Sequence, residues 1–311
     1  MNLETKVGPL TLRNPVIMAS GTFGYGWEFR DFLDYSTIGG VIAKTVTIKP
    51  RRGNPPPRTC ETSSGLLNAI GLPNGGIEQF LRVGLAYLSK LPTCRIVSIS
   101  GDTPEEFARL AARISDAAEI DAFEVNVSCP NIEKGGMAFG CDAGAIRTVT
   151  EAVRGATKRA VIVKLTPNVA SVAPMAVAAE EGGADVVSGI NTVIGMAVDW
   201  KRARPVLGNV TGGLSGPAIK PIALKMVWDM VKAMKIPVIG VGGIASGSDA
   251  LEFLTVGARA VQVGTINLVE PTACARILAE LEAELAAAGF DDVTKAIGRL
   301  ALPRGHGAGA G

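Results

Sequence analysis

Ala122-Phe123-Glu124-Val125-Asn126-Val127-Ser128-Cys129-Pro130-Asn131 is the stretch on which the reading of this chain turns. Phe123, Val125 and Val127 form a run of the kind that makes a strand. The run ends in a thiol flanked by two amides, Asn126 and Asn131. A buried strand ordinarily ends in a turn chosen for its geometry. This one ends in groups able to hydrogen-bond a planar ligand and to move a proton. In parallel α/β proteins ligands bind at strand C-termini, so location and chemistry agree.

From about residue 92 onward, short β-branched runs alternate with Ala/Leu/Glu-rich amphipathic stretches. The pattern predicts strands at Arg95–Ser100, Ala122–Val127, Val161–Leu165, Asp185–Ile190, Pro237–Val241 and Ala260–Val263. It predicts helices at about Pro104–Ala118, Asp142–Lys158, Ser171–Gly182, Ala218–Met234, Ser246–Val256 and Pro271–Ala288. Two earlier strands fit at Pro15–Ala19 and Gly39–Lys44. Eight near-continuously apolar strands in β/α alternation predict an α/β fold, a (β/α)8 TIM barrel with strands buried on both faces. The opening segment, Leu3 to Leu12 around Gly8-Pro9, reads as an N-terminal hairpin able to plug the barrel bottom. Thr45–Leu72 and Thr192–Pro217 are long for connectors, and such loops are usually functional. No linker splits the chain. The expected organisation is one barrel over residues 1–302 and a flexible Gly/Ala-rich tail at 303–311.

The 311 residues are 47% apolar, enough for a substantial core, and carry a formal charge of +2. Near-neutrality gives no ground to expect nucleic acid or an anionic membrane as the main partner. The opening Met1-Asn2-Leu3-Glu4-Thr5-Lys6 lacks the apolar region of a signal peptide, and no apolar run reaches the roughly 18 residues of a membrane helix. A soluble cytoplasmic protein is the expectation. The five cysteines (Cys60, Cys94, Cys129, Cys141 and Cys274) are widely spaced with no C-x-x-C, which argues against a disulfide framework or a cluster held by this chain alone. No metal site is predicted. The single histidine, His306, lies in the tail. That argues against Ser-His-Asp hydrolysis, His-ligated zinc and a His general base. The chemistry falls to Lys, Cys, Asn, Ser, Thr or a cofactor.

Each strand's C-terminal end carries something polar or flexible. In order these are Ser20-Gly21, Lys44-Thr45, Ser98 to Gly101, Asn126, Lys164, Asn191-Thr192, Gly242-Gly243 and Gly264-Thr265. Asn and Ser favour turns in any case. Two lysines at the ends of buried strands are harder to dismiss, because desolvation penalises a charge that nothing answers. Glycines after the last two strands let backbone approach a phosphate, the usual phosphate position in this fold. Gly240-Val241-Gly242-Gly243-Ile244-Ala245 also fits a loose dinucleotide fingerprint. The next strand ends in Gly264 instead of an acidic ribose ligand, so a mononucleotide phosphate fits better. Asn68-Ala69-Ile70-Gly71-Leu72 offers an amide and backbone N–H groups toward the mouth, or a glycine turn closing an Ω-type loop. Thr211 to Pro217 reads equally as a connection or a backbone cradle. Cys129 precedes a flap-like segment, Ile132 to Gly140, with a Gly135-Gly136 hinge. There it could act as nucleophile or base.

Together these residues resemble the dihydroorotate dehydrogenases, in particular their NAD-linked class 1B catalytic subunits, over about residues 5 to 301. The shared motifs are Ala19-Ser20-Gly21, Lys44-Thr45, Asn68 to Leu72, Asn126 to Asn131, Val163-Lys164-Leu165, Ile190-Asn191-Thr192, Thr211 to Pro217, Gly242-Gly243 and Gly264-Thr265. The resemblance implies an FMN-binding barrel that oxidises dihydroorotate to orotate in pyrimidine biosynthesis. It implies Cys129 as the general base, with hydride passing to FMN. Lys164 would sit beside the flavin and stabilise its reduced form, and Lys44 would contact flavin and substrate carboxylate. Asn68, Asn126, Asn191 and Thr192, with the Ala69-Ile70-Gly71-Leu72 backbone, would hold the pyrimidine. Ser20, Thr45, Asn126, Ile190 and Gly216 would line the flavin, and Gly242, Gly243, Gly264 and Thr265 would hold its phosphate. Ser98 is counted with the flavin residues although the family often has Asn there. The resemblance further implies a homodimer core flanked by partner subunits carrying FAD and a [2Fe–2S] cluster, a heterotetramer that passes electrons to NAD. The alternatives are another FMN barrel acting on dihydropyrimidines, a Schiff-base class I aldolase using Lys44 or Lys164, and a barrel that only binds a phosphate ligand.

Overall fold

Side chains alternate between two faces along every strand of the barrel, and this period of two sorts the molecule into layers. The computed structural model describes residues 1–117, 120–128 and 139–303. The barrel strands are β1 (Val16–Met18), β2 (Gly40–Val46), β3 (Cys94–Ile99), β4 (Ala122–Asn126), β5 (Ala160–Leu165), β6 (Val186–Gly189), β7 (Val238–Val241) and β8 (Ala260–Val263). They close in chain order, every neighbouring pair parallel. The eight strands expected from the sequence are these eight, with ends shifted by one or two residues.

The outward set packs under the helices. Val16, Met18, Val41, Ala43, Val97, Ile99, Phe123, Val125, Val161, Val163, Val187, Val238, Val261 and Val263 belong to one buried cluster with the helix faces. Helices follow β3 to β8 at Pro104–Ala117, Ala143–Ala156, Ala173–Glu181, Lys220–Ala233, Gly247–Thr255 and Ala273–Ala287. The first shows why the sequence makes them. Pro104 opens it, Glu105 and Glu106 sit in its first turn, and Phe107, Leu110, Ala111 and Ile114 recur on one buried face. The second starts at Asp142, whose carboxylate accepts from the Ala145 N–H at 2.6 Å.

The inward set starts with an apolar floor. Ile17, Ile42, Ile96, Ala122, Ile162, Val186, Ile239 and Ala260, one from each strand, cluster with Val7, Leu10 and Leu12 of the N-terminal hairpin. That hairpin pairs Thr5–Val7 with Leu10–Leu12 in antiparallel register, turning at Gly8 with φ 61°. It closes the barrel at the strand N-termini, as the sequence suggested.

Two features depart from expectation. The segment between β2 and β3, for which no helix was predicted, forms one from Gly76–Gln79 through a wide turn at Phe80–Gly84 to Leu85–Leu88. The extra residue in that turn breaks the 3.6-residue repeat, so its buried residues Ile77, Phe80, Leu85 and Leu88 do not read as one helical stripe. The second departure lies in Thr45–Leu72 and Thr192–Pro217, expected as long functional connectors with no strands assigned to them. Their strands join in one four-stranded antiparallel sheet, in the order Val193–Met196, Thr211–Ser215, Gly65–Asn68, Thr59–Thr62. Its central pairing sets Gly213 opposite Asn68 and Leu214 opposite Leu67. Among the described residues no helix is long and apolar enough to cross a membrane.

Leu12 is fully buried in the floor. Leu12→Ala is expected to cost about 2–5 kcal/mol of unfolding free energy, read by urea titration, while far-ultraviolet circular dichroism stays that of the parent. A loss below ~1 kcal/mol would show that the hairpin does not seal the floor.

Candidate active site

Above the apolar floor the next inward positions are polar. Ser98, Glu124, Lys164, Ser188 and Gln262 lie two residues beyond Ile96, Ala122, Ile162, Val186 and Ala260, so the period of two carries them to the same face. All five are buried. The Glu124 carboxylate is fully enclosed. It accepts from the Gln262 amide at 2.8 Å and from the Ser20 and Ser188 hydroxyls at 3.3 Å each. The Lys164 ammonium stands 3.7 Å from it and donates to the Gln262 carbonyl at 3.2 Å. The sequence reading found Lys164 and Ser20 but missed Glu124, Ser188 and Gln262. Their signal was present, since an acid and an amide inside apolar strands are costly unless partnered.

The strand ends around this layer gather most of the sequence-derived candidates. The register between β2 and β3 shifts between Ala43 and Val46. The irregularity places Thr45 against Ser98, Oγ to Oγ 2.9 Å, and leaves Lys44 half-buried beside it. Asn126, at the end of β4, accepts from the Ser128 N–H at 3.2 Å and is 8% exposed. Ile190 is buried under Gly242, its N–H donating to the Val241 carbonyl at 2.8 Å. Cys129, Pro130, Asn131 and residues 132–138 of the flap-like segment lie outside the described residues.

The antiparallel sheet brings together residues read from two distant loops. Asn68 donates to the Gly213 carbonyl at 3.1 Å, and a Cβ on Gly213 would collide with the Thr192 side chain. Asn68 and Thr192 therefore meet over one glycine. Thr192 is held by Asn168, whose amide donates to its carbonyl at 3.0 Å and whose oxygen accepts from the Ile194 N–H at 2.9 Å. Asn191 donates its N–H to the Leu165 carbonyl at 2.9 Å, which ties the end of β6 to β5. Asn68 is followed by a stretch whose backbone is partly engaged. The Ala69 N–H donates to the Arg58 carbonyl at 2.8 Å, so it does not face the mouth as a free donor. Gly71 has φ 76° and packs against Asn54, while Ile70 and Leu72 offer their carbonyls to Asn54 and Asn74.

Next to the end of this sheet lie the glycines after β7 and β8. Gly242 and Gly243 have φ 130° and 75°, and a Cβ on Gly243 would sit 2.9 Å from the Gly216 carbonyl and 2.8 Å from the Lys220 backbone nitrogen. The start of the following helix is already capped. Asp249 N–H donates to Ser246, Ala245 N–H to Asp249 and Gly247 N–H to Glu280. The helix-start N–H groups of Ala245, Gly247 and Asp249 are thus already engaged. Gly264 is more open: a Cβ there would approach only Ala19, at 3.7 Å. Thr265 opens a short turn, Thr265–Leu268, and its hydroxyl donates to Ser215 at 2.8 Å. Lys220 stays pinned below the cradle. Its hydrogen bonds to Asp249, then Glu252, hold its pKa above the usual lysine value.

Burial pushes Cys94 and Cys274 up to about 12, which makes both poor nucleophiles. Among the described residues no group of three or more His, Cys, Asp or Glu could hold a metal ion.

The family profile described as "Dihydroorotate dehydrogenase" matches residues 2–285 of the chain. Several curated proteins align along nearly its whole length, each named "Dihydroorotate dehydrogenase B (NAD(+)), catalytic subunit". The one from Trichlorobacter lovleyi is 51% identical over 298 residues, covering 96% of this chain and 98% of the relative. That of Geobacter sulfurreducens is 52% identical over 299 residues, with 96% and 98% covered. That of Desulforamulus reducens is 50% identical over 302 residues, with 97% and 99% covered. A barrel with a polar upper layer, a glycine-lined rim and relatives of this closeness place the chain in the dihydroorotate dehydrogenase family.

Proposed function

We propose that this chain is the catalytic subunit of an NAD-linked dihydroorotate dehydrogenase, oxidising dihydroorotate to orotate in pyrimidine biosynthesis with FMN as its bound cofactor. The observation that carries the proposal is the buried Lys164 ammonium among Glu124 and Gln262 at the centre of the barrel mouth, in a chain about half identical to relatives of that name. The local geometry fits a flavin mononucleotide. One rim offers glycine backbone in conformations a side chain would block, at Gly216, Gly242 and Gly243, next to the open Gly264 and the Thr265 turn. These suit a phosphate. Ser20, Lys44, Thr45, Ser98, Asn126, Lys164 and Ile190, in or next to the polar layer at the strand ends, would contact the ring system. FMN, when bound, supplies the two-electron acceptor.

The chain's own groups divide the remaining work. Lys164 presents positive charge from below, where negative charge develops during oxidation. Asn126 and Asn191 from strand ends, with Asn68 and Thr192 from the joined sheet, pair with the amide edges of the pyrimidine, and the backbone of Ala69 to Leu72 borders it. Lys44 answers the substrate carboxylate. Cys129 takes the proton from the dihydropyrimidine ring as general base. A Schiff-base aldolase is less well supported, because that chemistry needs a neutral amine and Lys164 is ion-paired with Glu124.

The relatives are named catalytic subunits, which supports a second chain. We assign to that partner the FAD and [2Fe–2S] cluster that carry electrons to NAD, in a heterotetramer built on a homodimer of this chain. An acceptor panel on the purified chain, with and without the co-expressed partner, tests this. NAD reduction is expected only with the partner, and full NAD reduction by the single chain would overturn it.

Cys129→Ala is expected to retain the yellow flavin and to slow its bleaching by dihydroorotate roughly 10²–10⁴-fold in stopped flow. Bleaching at the parent rate would remove Cys129 from the base role. In the parent enzyme the bleaching rate should climb with pH toward the ordinary thiol pKa of about 8.5, because the thiolate is the form that accepts the proton. A profile flat from pH 6 to about 9 contradicts a thiol base.

A further inference from the structure

Among the described residues two charged side chains are buried, Glu124 and Lys164, and they face each other. The chemistry proposed above gives work to the lysine and none to the acid. Yet Glu124 is the better anchored of the two. Its two oxygens take hydrogen bonds from Ser20 after β1, Ser188 on β6 and Gln262 on β8, so three other parts of the barrel converge on one carboxylate. The ammonium stands at 3.7 Å from Glu124 Oε1, beyond a normal hydrogen bond, and gives one N–H to Gln262 at 3.2 Å. An ammonium has three donors, so this arrangement leaves two for whatever lies above. The Gln262 amide links the pair, its nitrogen on the acid and its oxygen on the base.

Lysine surrounded by apolar barrel walls loses the solvation that keeps it charged, and an unanswered buried lysine tends to release its proton. A carboxylate set below and behind the ammonium prevents this without covering its upper side. We propose that Glu124 is a positioning residue: it keeps Lys164 protonated and turned to the barrel mouth, an assignment that rests on the flavin reading above. The Glu124 carboxylate is fully enclosed, with its oxygens turned to Ser20, Ser188, Gln262 and Lys164. It acts through Lys164, and through it sets how readily the flavin accepts electrons. Gln262 and the two serines hold the carboxylate in place by donating to it, and the apolar floor of Ile17, Ile96 and Ile162 closes the layer from beneath.

The test uses the full chain loaded with FMN and reads the flavin midpoint potential by dye equilibration. Glu124→Gln keeps the shape and one acceptor oxygen, makes the other position a donor that a rotated Ser20 hydroxyl can accept, and removes the charge. Its reduction equilibrium is expected to become about tenfold less favourable, about 30 mV lower for a two-electron couple. Lys164→Met should move it in the same direction, and the double variant should lie no lower than Lys164→Met alone. A potential that is unchanged or raised in Glu124→Gln, or a double variant in which the two effects add, would overturn the proposal. A second measurement does not depend on that variant folding. In lysine labelled with nitrogen-15, the Lys164 side-chain signal, identified by its loss in Lys164→Met, should be that of an ammonium in the parent chain at neutral pH, with or without flavin. A neutral amine there overturns the proposal outright. If the parent chain binds no flavin, the functional reading fails, while the nitrogen signal of the flavin-free chain still decides whether Lys164 carries the charge that the proposal requires.

Discussion

An ionised carboxylate enclosed in a protein interior must be answered on every side, and the centre of this barrel is arranged around that requirement. Glu124 alone would be a severe liability. With an ammonium, an amide and two hydroxyls gathered from four other strands or strand ends, it becomes the point that fixes their mutual positions. The barrel closure and the polar layer thus depend on each other. Short parallel strands supply one inward side chain per two residues, and closure is what brings those single contributions within hydrogen-bond distance.

The layer below matters to the layer above. A floor built from one aliphatic side chain of each strand, completed by Val7, Leu10 and Leu12, excludes water from beneath the charged pair. Electrostatic interactions in such surroundings are stronger than at a surface. Lys44 and Lys164 show the effect of depth. Both end a strand in the sequence, but Lys164 points into the enclosed layer while the register shift in β2 lifts Lys44 toward solvent. The same residue type at equivalent-looking positions thus meets two different environments.

The barrel itself was legible in the sequence because its signals are local. Pro104-Glu105-Glu106 starts a helix, Asp142 caps one, and runs such as Val161 to Leu165 have no other place than a doubly covered strand. The features that escaped notice are set by closure or by distant pairing. Asn68 and Gly213 are 145 residues apart, and Gly65-Leu66-Leu67-Asn68 carries no pattern that announces an antiparallel partner. The inward direction of Glu124 and Gln262 could be read from their two-residue spacing to Ala122 and Ala260, but their meeting required the order of the strands. The roles of individual site residues came from family resemblance. The residue pattern alone supplied the strand-end positions and the thiol.

The joined sheet has a bearing on how such an enzyme can change. Barrel catalysts are commonly pictured as a fixed scaffold whose crossover segments may be exchanged one at a time. Here the segments following β2 and β6 share a hydrogen-bonded ladder, with Ser215 bonded to Leu66 and Gly65 fitted closely beneath Ser215. Swapping either one alone would strand the edge of the other. Variation in these two segments is therefore coupled, and a graft meant to alter what the cavity admits has to carry both pieces as one module.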